Sequence, residues 1–280
     1  MEYGWISLTT DYGTDDGYVA ACKGVIGRIA PSVRTIDITH HVPPQDVRRG
    51  AAVLAQTVPY LPPAVHLAVV DPGVGTARRG LAVLPAGAGV LVGPDNGLLL
   101  GAADVLGGVA AAYELTEPAY WLATVSVTFH GRDVFAPVAA HLATGVPADN
   151  LGPAVDPDTL VRLAAPETAV GAGRLATEVL SVDRFGNIQL AAGEAELAAA
   201  GLVTAGPGPT GQGPAGRVRL RLDTVTVETT LGGTFADVPL GALLVYVDSA
   251  GLVAVAVNNG SAAARLGVVP GALVSLESIG

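Results

Sequence analysis

Apolar and polar stretches alternate along the first 165 residues of the chain. Short apolar runs rich in β-branched residues occur at 5–10, 33–38, 67–70, 81–84, 90–93 and 110–115. Between them, apolar side chains recur at helical spacing over residues 18–29, 46–60, 98–106 and 134–142. Because strands that alternate with helices usually form a mostly parallel sheet, this pattern predicts a sheet flanked by helices.

The pattern changes near Ala164, and the composition of 165–173 predicts a linker. Beyond it, strand-like runs follow at 175–182, 217–222, 224–229, 243–247, 252–257 and 273–276. The glycine- and proline-rich segment 206–216 predicts a flexible loop. We therefore expect two domains: an α/β domain over 1–165 and a small antiparallel, barrel-like β domain over 166–280.

Composition and charge exclude several classes of protein. Half of the 280 residues are apolar and 14% are charged, which indicates a globular chain. The net charge of −10, with no basic face, argues against a nucleic-acid partner. No apolar run approaches the roughly 20 residues that a membrane helix needs. The N-terminus has no signal-peptide pattern, and the single cysteine, Cys22, suits a reducing compartment, so we expect a cytoplasmic protein.

Chemistry-bearing side chains come at the ends of several predicted strands. The apolar run at 67–70 is followed by Asp71, and Pro72-Gly73 must turn the chain there. Arg78 follows Asp71 closely enough for both side chains to face one pocket. Open α/β sheets place their ligand crevices at the carboxyl ends of strands, so we expect a small-molecule site here. The stretch is also compatible with a solvated turn that meets no ligand.

Other polar residues near strand ends allow both a structural and a functional interpretation. Asp15 or Asp16 would cap the helix that follows them. His130 immediately precedes another predicted helix, beside its unpaired N–H groups. The adjacent His40 and His41 would point to opposite faces of an extended chain, and no further ligand stands at a recognisable metal spacing. We therefore expect no metal site.

Three polar clusters interrupt the strands of the second domain. Asp183-Arg184-Phe185-Gly186-Asn187 combines an acid, an aromatic ring and an amide, the groups that a planar heterocycle with hydroxyls would need. The clusters 248–251 and 258–261 flank the predicted strand 252–257. All three clusters are also compatible with plain turns.

Together these residues resemble one family, the S-adenosyl-L-methionine (SAM) hydroxide adenosyltransferases, or SAM hydrolases, which are relatives of the fluorinase and chlorinase enzymes. The resemblance runs nearly end to end, and the order and spacing of its motifs make it specific. The motifs that carry it are Thr10-Asp11-Tyr12-Gly13 with Asp15-Asp16, Val70-Asp71-Pro72-Gly73-Val74-Gly75-Thr76 with Arg78, Pro94-Asp95-Asn96-Gly97, Phe129-His130-Gly131-Arg132-Asp133, and Asp183 with Phe185-Gly186-Asn187.

The resemblance implies a fold, an assembly and a reaction. The N-terminal domain would be a three-layer α/β/α domain with a mostly parallel or mixed sheet, followed by a C-terminal antiparallel β-barrel-like domain. Chains would form a homotrimer that binds SAM between the N-terminal domain of one chain and the C-terminal domain of its neighbour. Water or hydroxide would attack C5′ of the ribose and give adenosine and methionine, without a metal or redox cofactor.

The resemblance also implies roles for individual residues. An Asp–Arg–His set that marks the hydrolases maps onto Asp71, Arg78 and His130. The halogenating relatives lack this set and carry an insertion in the segment that corresponds to 79–93, which is short here. Asp11 would hold the ribose hydroxyls. The other residues implied in substrate binding are Asp15, Asp16, Asn96, Gly131, Asp183, Phe185, Asn187, Ser249, Gly260, Ser261 and Ala262.

Within that second group, the implied contacts differ. Asp183 and Asn187 would grip the methionine portion, with Phe185 as a wall. Ser249 and the turn 260–262 would lie near the methionine end or the adenine edge.

The chemistry of the Asp–Arg–His set leaves alternatives open. We hypothesise that His130, oriented by Asp71, accepts a proton from the attacking water while Arg78 stabilises the developing hydroxide. Arg78 could instead polarise the water alone, with His130 only positioning it. Two other functions also stay open: a halide-using adenosyl transfer on the same scaffold, and a SAM- or adenosine-binding protein without turnover.

Overall fold

The computed structural model of the chain describes residues 2–202, 216–222 and 225–279. They divide into two units, 1–163 and 164–280, so the division falls two residues before the boundary predicted from composition. The predicted flexible loop 206–216 lies, apart from Gly216, outside the described residues.

Six strands and four helices build the first unit. The strands are β1 (Trp5–Thr10), β2 (Arg34–Thr39), β3 (Val65–Val69), β4 (Gly80–Pro85), β5 (Val90–Pro94) and β6 (Val109–Glu114). The helices are α1 (Tyr18–Ile29), α2 (Val47–Thr57), α3 (Leu100–Val105) and α4 (Ala136–Ala143), and a π-helical turn, Gly131–Phe135, leads into α4.

The six strands form one mixed sheet in the order β2-β1-β3-β5-β4-β6. The first four strands in this order are parallel, and β4 runs antiparallel to both β5 and β6. Helices α1 and α4 pack together on one face and α2 and α3 on the other. The predicted three-layer α/β/α architecture is therefore confirmed.

The alternation of side chains along β3 positions the residues that follow it. Leu67 and Val69 belong to the apolar cluster that contains the buried residues of α1 and α4. Ala68 and Val70 belong to the cluster under α2 and α3. Because successive side chains of a strand point to opposite faces, Asp71 continues the Leu67 and Val69 series and lies on the α4 face.

In the described part of the second unit, the chain forms eight strands and two short α-helices. The strands are β7 (Thr168–Gly171), β8 (Arg174–Val182), β9 (Ile188–Gly193), β10 (Gly216–Leu222), β11 (Val225–Leu231), β12 (Leu243–Val247), β13 (Leu252–Val257) and β14 (Leu273–Ser278). The helices are α5 (Glu194–Ala199) and α6 (Ala262–Leu266).

Seven of these strands close into a barrel in the order β14-β10-β11-β12-β13-β9-β8, and β8 pairs with β14 to complete the ring. The predicted barrel-like domain is therefore confirmed. Among the described pairs, β11 and β12 alone run parallel, and the others are antiparallel. Closure removes the sheet edges that an open β domain would have to protect.

Three local predictions differ from the structure. The expected linker contains β7, which forms a hairpin with β8 although its four residues are all exposed. Neither Asp15 nor Asp16 caps α1, because the N-cap is Gly17 and no side chain bonds to the helix end. The helix expected to begin at Val134 instead starts as the π-helical turn at Gly131. Among the described residues, no helix is both long enough and apolar enough to cross a membrane.

Candidate active site

The loop that follows β3 brings Asp71 and Arg78 together as a fork-like ion pair. Arg78 Nε donates to Asp71 Oδ1 at 3.0 Å, and Arg78 Nη2 donates to Asp71 Oδ2 at 2.5 Å. The Arg78 side chain is 12% exposed and that of Asp71 is 6% exposed. The guanidinium carbon lies 5.0 Å from the ring centre of the buried Phe135. The pair is therefore held in a fixed geometry largely away from water.

Short hydrogen bonds and one glycine fix the course of this loop. The Thr76 hydroxyl donates to the Gly73 carbonyl at 2.6 Å and accepts from the Arg78 N–H at 3.3 Å. Gly75 adopts a φ of +76°, and a Cβ there would stand 2.5 Å from the Val127 carbonyl oxygen. Only glycine meets both demands at position 75.

His130 joins the pair through Arg78. Arg78 Nη2 lies 3.1 Å from His130 Nδ1. Among the described residues, no hydrogen bond links Asp71 directly to His130, so the order of contact is Asp71, Arg78, His130. The expectation that Asp71 orients His130 is therefore corrected: Arg78 stands between them. Burial, followed by the nearby Arg78 charge, lowers the pKa of His130 below its usual value.

A cavity of about 380 Å³ opens at this edge of the sheet. Its lining residues are Asp11, Tyr12, Tyr18, Pro44, Gln45, Val69, Asp71, Pro72, Val74, Thr128, His130 and Gly131. The structure thus brings four predicted residues, Asp11, Asp71, His130 and Gly131, to one concave surface. Asp15, Asp16 and Asn96 are not among the lining residues, and neither is Arg78.

Asp11 reaches the cavity from the end of β1. Its Oδ2 accepts the Gln45 backbone N–H at 2.9 Å, a contact between segments 34 positions apart. Gln45 itself holds a φ of +67°, an unusual conformation for a residue with a side chain. Backbone strain of this kind is concentrated at functional sites, and Gln45 lines the cavity.

Aromatic rings form another wall of the cavity. The rings of Tyr12 and Tyr18 lie 5.6 Å and 5.2 Å from that of Phe129. A Cβ at Gly131 would stand 2.0 Å from Tyr12 Oη, so glycine is needed where His130 enters the π-helical turn. Burial, followed by the nearby Cys22 and Asp11, raises the pKa of Tyr12 well above 10. The Tyr12 hydroxyl is therefore neutral at physiological pH.

Eight of the twelve lining residues were not predicted as site residues from the sequence: Tyr12, Tyr18, Pro44, Gln45, Val69, Pro72, Val74 and Thr128. Tyr12 and Thr128 stand within two residues of Asp11 and His130, so proximity in sequence was a usable signal for them. Gln45 carried no comparable signal, because its place depends on the fold of a separate loop.

Asp133 anchors the segment that leads to His130. Its side chain is fully buried. The carboxylate accepts the Ser126 N–H at 2.8 Å and two hydrogen bonds from Arg132. Burial alone would raise the pKa of Asp133, but the hydrogen bonds from Arg132 and Ser126 outweigh it and lower the pKa. Asp133 thus ties 126–130 to the start of the helix.

The residues that follow β5 serve the fold of the first unit. Arg79 Nε donates to Asp95 Oδ2 at 2.9 Å, and Arg79 Nη2 donates to the Thr159 carbonyl at 2.8 Å. Asn96 Nδ2 donates to the Val70 carbonyl at 2.8 Å and so joins the ends of β3 and β5. The adjacent arginines 78 and 79 therefore bind different partners, and the contacts of Asn96 are made within the protein.

The predicted residues of the second unit lie in three turns. Asp183 Oδ1 accepts the N–H groups of Phe185 and Asn187 at 2.8 Å and 2.9 Å, and Oδ2 accepts Asn187 Nδ2 at 2.8 Å. This turn joins β8 to β9 and leaves Phe185 72% exposed. The turn interpretation of the cluster 183–187 is correct, and it also presents an aromatic ring to solvent.

The other two turns stand at opposite ends of β13. Ser249 is exposed in the turn before β13, and Gly260 is exposed in the turn after it. Ser261 accepts the Ala264 N–H at 3.1 Å and so caps α6, while Ala262 is fully buried in the barrel core. The Ala262 side chain is thus unavailable to a ligand, which leaves only its backbone for that role.

Among the described residues, no group of three or more His, Cys, Asp or Glu side chains is arranged to hold a metal ion. The adjacent histidines His40 and His41 contact different residues. His40 Nδ1 lies 2.8 Å from Thr10 Oγ1, and His41 Nε2 lies 3.5 Å from Thr14 Oγ1.

Known proteins match both units of the chain. A SAM hydroxide adenosyltransferase N-terminal domain matches residues 6–152, and the corresponding C-terminal domain matches residues 177–275. An (R)-S-adenosyl-L-methionine hydrolase of Salinispora arenicola is 60% identical over 95% of each chain. A fluorinase of an Actinoplanes species is 31% identical over 90% of each chain.

A solved structure agrees with these matches. The crystal structure of an uncharacterized conserved protein from Thermotoga maritima superimposes with a TM-score of 0.88 at 35% identity, and covers 97% of this chain and 99% of that one. Because the matched domains take in most of both units, the chain belongs to the SAM hydroxide adenosyltransferase family.

Proposed function

We propose that this protein hydrolyses SAM to adenosine and L-methionine by attack of water at C5′ of the ribose. The observation that carries the proposal is the Asp71–Arg78–His130 set, in which Arg78 joins two residues, Asp71 and His130, that line a cavity of a size that suits a small molecule. The 60% identity to a SAM hydrolase supports the same reaction.

The reaction places specific demands on such a site. The sulfonium of SAM departs as a neutral thioether, so the leaving group needs no acid. Water is a weak nucleophile, so the site must orient it in line behind C5′ and stabilise it as it becomes hydroxide-like. Fixed donors in a site that excludes water stabilise developing negative charge strongly, and the largely buried Arg78 fork is such a donor.

The substrate contacts are also part of the proposal. Asp11, which uses only Oδ2 for the Gln45 N–H, is suited to hold the ribose hydroxyls with its other oxygen. We propose that the methionine portion meets Asp183 and Asn187, with Phe185 against it. Ser249, Gly260 and the Ser261–Ala262 backbone would contact the two ends of the ligand.

We further propose that the protein acts as a cytoplasmic homotrimer. The resemblance to the family implies that each SAM lies between the first unit of one chain and the second unit of its neighbour. The 72% exposure of Phe185 fits a ring that another surface covers. We propose neither a metal nor a redox cofactor, since the sulfonium already supplies the leaving group. The acidic chain, with a net charge of −10, favours neither a nucleic acid nor an anionic membrane as a partner.

Product analysis tests the reaction. Incubation with SAM in ¹⁸O-labelled water should give methionine and adenosine with the label in the 5′-hydroxyl. A parallel incubation with excess chloride or fluoride separates the alternatives. Formation of 5′-halo-adenosine would show that the reaction is halide transfer and not hydrolysis. Tight binding of SAM without release of methionine would show that the protein binds SAM but does not hydrolyse it.

A further inference from the structure

The hydrogen bond between Arg78 and His130 defines which ring nitrogen carries the proton. A guanidinium has only donors, because all its nitrogens carry hydrogen and it stays protonated in proteins. Arg78 Nη2 lies 3.1 Å from His130 Nδ1, so Nδ1 must accept. A ring with a lone pair at Nδ1 is neutral and carries its proton at Nε2.

The groups around His130 favour this neutral form. Arg78 is the cation in contact with the ring, and its charge opposes a second positive charge there. Asp71 and Asp133 act in the opposite sense, but each is already engaged by an arginine, Arg78 or Arg132. Burial of the ring adds to the effect of Arg78, and the balance lowers the pKa of His130.

The other ring nitrogen, Nε2, is available for a contact with substrate or water. His130 lines the cavity, and among the residues that the structure describes Nε2 has no hydrogen-bond partner. We infer that His130 donates a hydrogen bond from Nε2–H to the attacking oxygen and is not the base that deprotonates it. This inference rests on the proposed hydrolysis and assigns one role within it.

The proton of the water then needs another acceptor. Asp71 is the carboxylate of the set that lines the cavity. Its Oδ2 accepts from both Nε and Nη2 of Arg78, whereas Oδ1 accepts from Nε alone and keeps a second lone pair for the proton. As the C5′–O bond forms, the C5′–S bond breaks with its electron pair on sulfur. The water proton passes to Asp71, and from there to solvent. Adenosine and neutral methionine thioether are the products.

The tautomer can be measured directly without substrate. In protein labelled with ¹⁵N, long-range ¹H–¹⁵N correlation spectra distinguish a protonated from an unprotonated ring nitrogen. The chain has five histidines, and the His130→Gln variant identifies the His130 signals by their loss. At neutral pH we expect an unprotonated Nδ1 and a protonated Nε2. A proton on Nδ1, or on both nitrogens, would overturn the inference.

Two variants test the role in turnover. The oxygen and nitrogen of a glutamine amide are spaced like the two ring nitrogens of histidine. In the His130→Gln variant, the amide oxygen could therefore accept from Arg78 while the amide NH₂ donates into the cavity. Such an amide cannot act as a base. We therefore expect His130→Gln to keep kcat within about 10-fold of the parent and His130→Ala to lose about 10²-fold or more.

Comparison of the two variants with the parent distinguishes failure of this inference from failure of the proposed hydrolysis. If His130→Gln is as impaired as His130→Ala, while both keep the parent's melting temperature, His130 is a base and the inference is wrong. If the unmodified protein does not release methionine from SAM at all, the proposed hydrolysis fails, whereas the tautomer measurement still reports on the ring itself.

Discussion

Arg78 and Arg79 are neighbours with the same charge, but they bind different partners. Arg78 bridges Asp71 and His130, while Arg79 joins Asp95 to Thr159 away from the cavity lining. Lysine cannot bridge two acceptors with a planar fork. We expect Arg78→Lys to lower kcat/KM for SAM by about 10²-fold or more, as loss of a fixed transition-state donor does.

Arg79→Lys is the matched control, because it makes the same chemical change one position away. It should keep kcat and show a lower melting temperature, since only the bonds to Asp95 and Thr159 weaken. Steady-state kinetics and thermal unfolding of both variants measure the two effects. Equal loss of kcat in the two variants would contradict a special role for Arg78.

The close approach of Gly131 to Tyr12 predicts that a Gly131 variant loses activity and that a second substitution at Tyr12 restores part of it. A Cβ at position 131 would stand 2.0 Å from Tyr12 Oη and 3.0 Å from Cζ, so the tyrosine or His130 must move. Displacement of about 1 Å at a catalytic group can cost about 10²-fold in rate, and we expect a loss of that order for Gly131→Ala. Adding Tyr12→Phe removes the closest atom and should restore part of kcat. A double variant no better than Gly131→Ala would show that the damage arises elsewhere.

At the residue scale, the strand-end rule was enough to point to Asp71, which directly follows an apolar run and lines the cavity. Asp11 lines the same cavity, but it was named from the resemblance to the family. The rule could not show that Arg78 stands between Asp71 and His130, because that order depends on how the 71–78 loop folds. Nor could it find Gln45, whose strained backbone meets Asp11 only in the tertiary structure.

At the scale of elements, Asp133 holds the segment that ends at His130 onto the helix that follows. Its buried carboxylate accepts from Ser126 N and from Arg132. Asp133→Asn leaves these donors poorly matched, and we expect it to lower the free energy of unfolding by about 2 kcal/mol, within the range for hydrogen bonds to buried charged groups. The rate should fall as well, because His130 loses its support.

Asp104→Asn serves as the control for Asp133→Asn. Asp104 pairs with Arg162 at 3.2 Å, but both side chains are more than half exposed, and such surface pairs contribute little. Urea unfolding at constant pH should show almost no change for this variant. A comparable loss in both variants would mean that Asp133 has no special role in this segment.

The contact between β1 and β3 predicts a pH dependence of stability. His66 on β3 is buried against Ser7 on β1, with 2.8 Å between Nδ1 and Oγ, and burial lowers its pKa to about 4. As the pH falls, His66 therefore becomes protonated near pH 6.5 in the unfolded chain but only near pH 4 in the folded chain. The contribution of His66 to the free energy of unfolding is fully present above pH 6.5. It decreases as the pH is lowered, by about 2 kcal/mol between pH 7 and pH 5.

His66→Asn isolates that contribution. Asparagine can replace the hydrogen bond to Ser7 but cannot titrate in this range. Urea unfolding at pH 7 and pH 5 should therefore show a decrease in the parent that is about 2 kcal/mol larger than in the variant. Equal decreases in the two proteins would assign the pH dependence to other groups.

The strands themselves were largely predictable, whereas their pairing was not. Apolar runs marked β1 and β8 well because their side chains alternate or lie wholly in a core. The strand β7 escaped notice because its four residues are exposed and only the pairing with β8 holds it. Barrel closure joins β8 to the distant β14, and β11 and β12 pair in parallel although they are consecutive strands; local patterns hold no information on either pairing.

At the scale of the whole molecule, the proposed trimer makes a prediction about mixed assemblies. If each site takes its first unit from one chain and its second unit from the neighbour, Arg78→Lys damages one half and Asp183→Asn the other. Asp183→Asn removes the charge but keeps an oxygen for the Phe185 and Asn187 N–H groups. Each variant alone should have little activity. When the two are unfolded together in equal amounts and refolded, about one quarter of the sites should combine two intact halves. Sites formed within a single chain would recover no activity on mixing, and that result would exclude the shared arrangement.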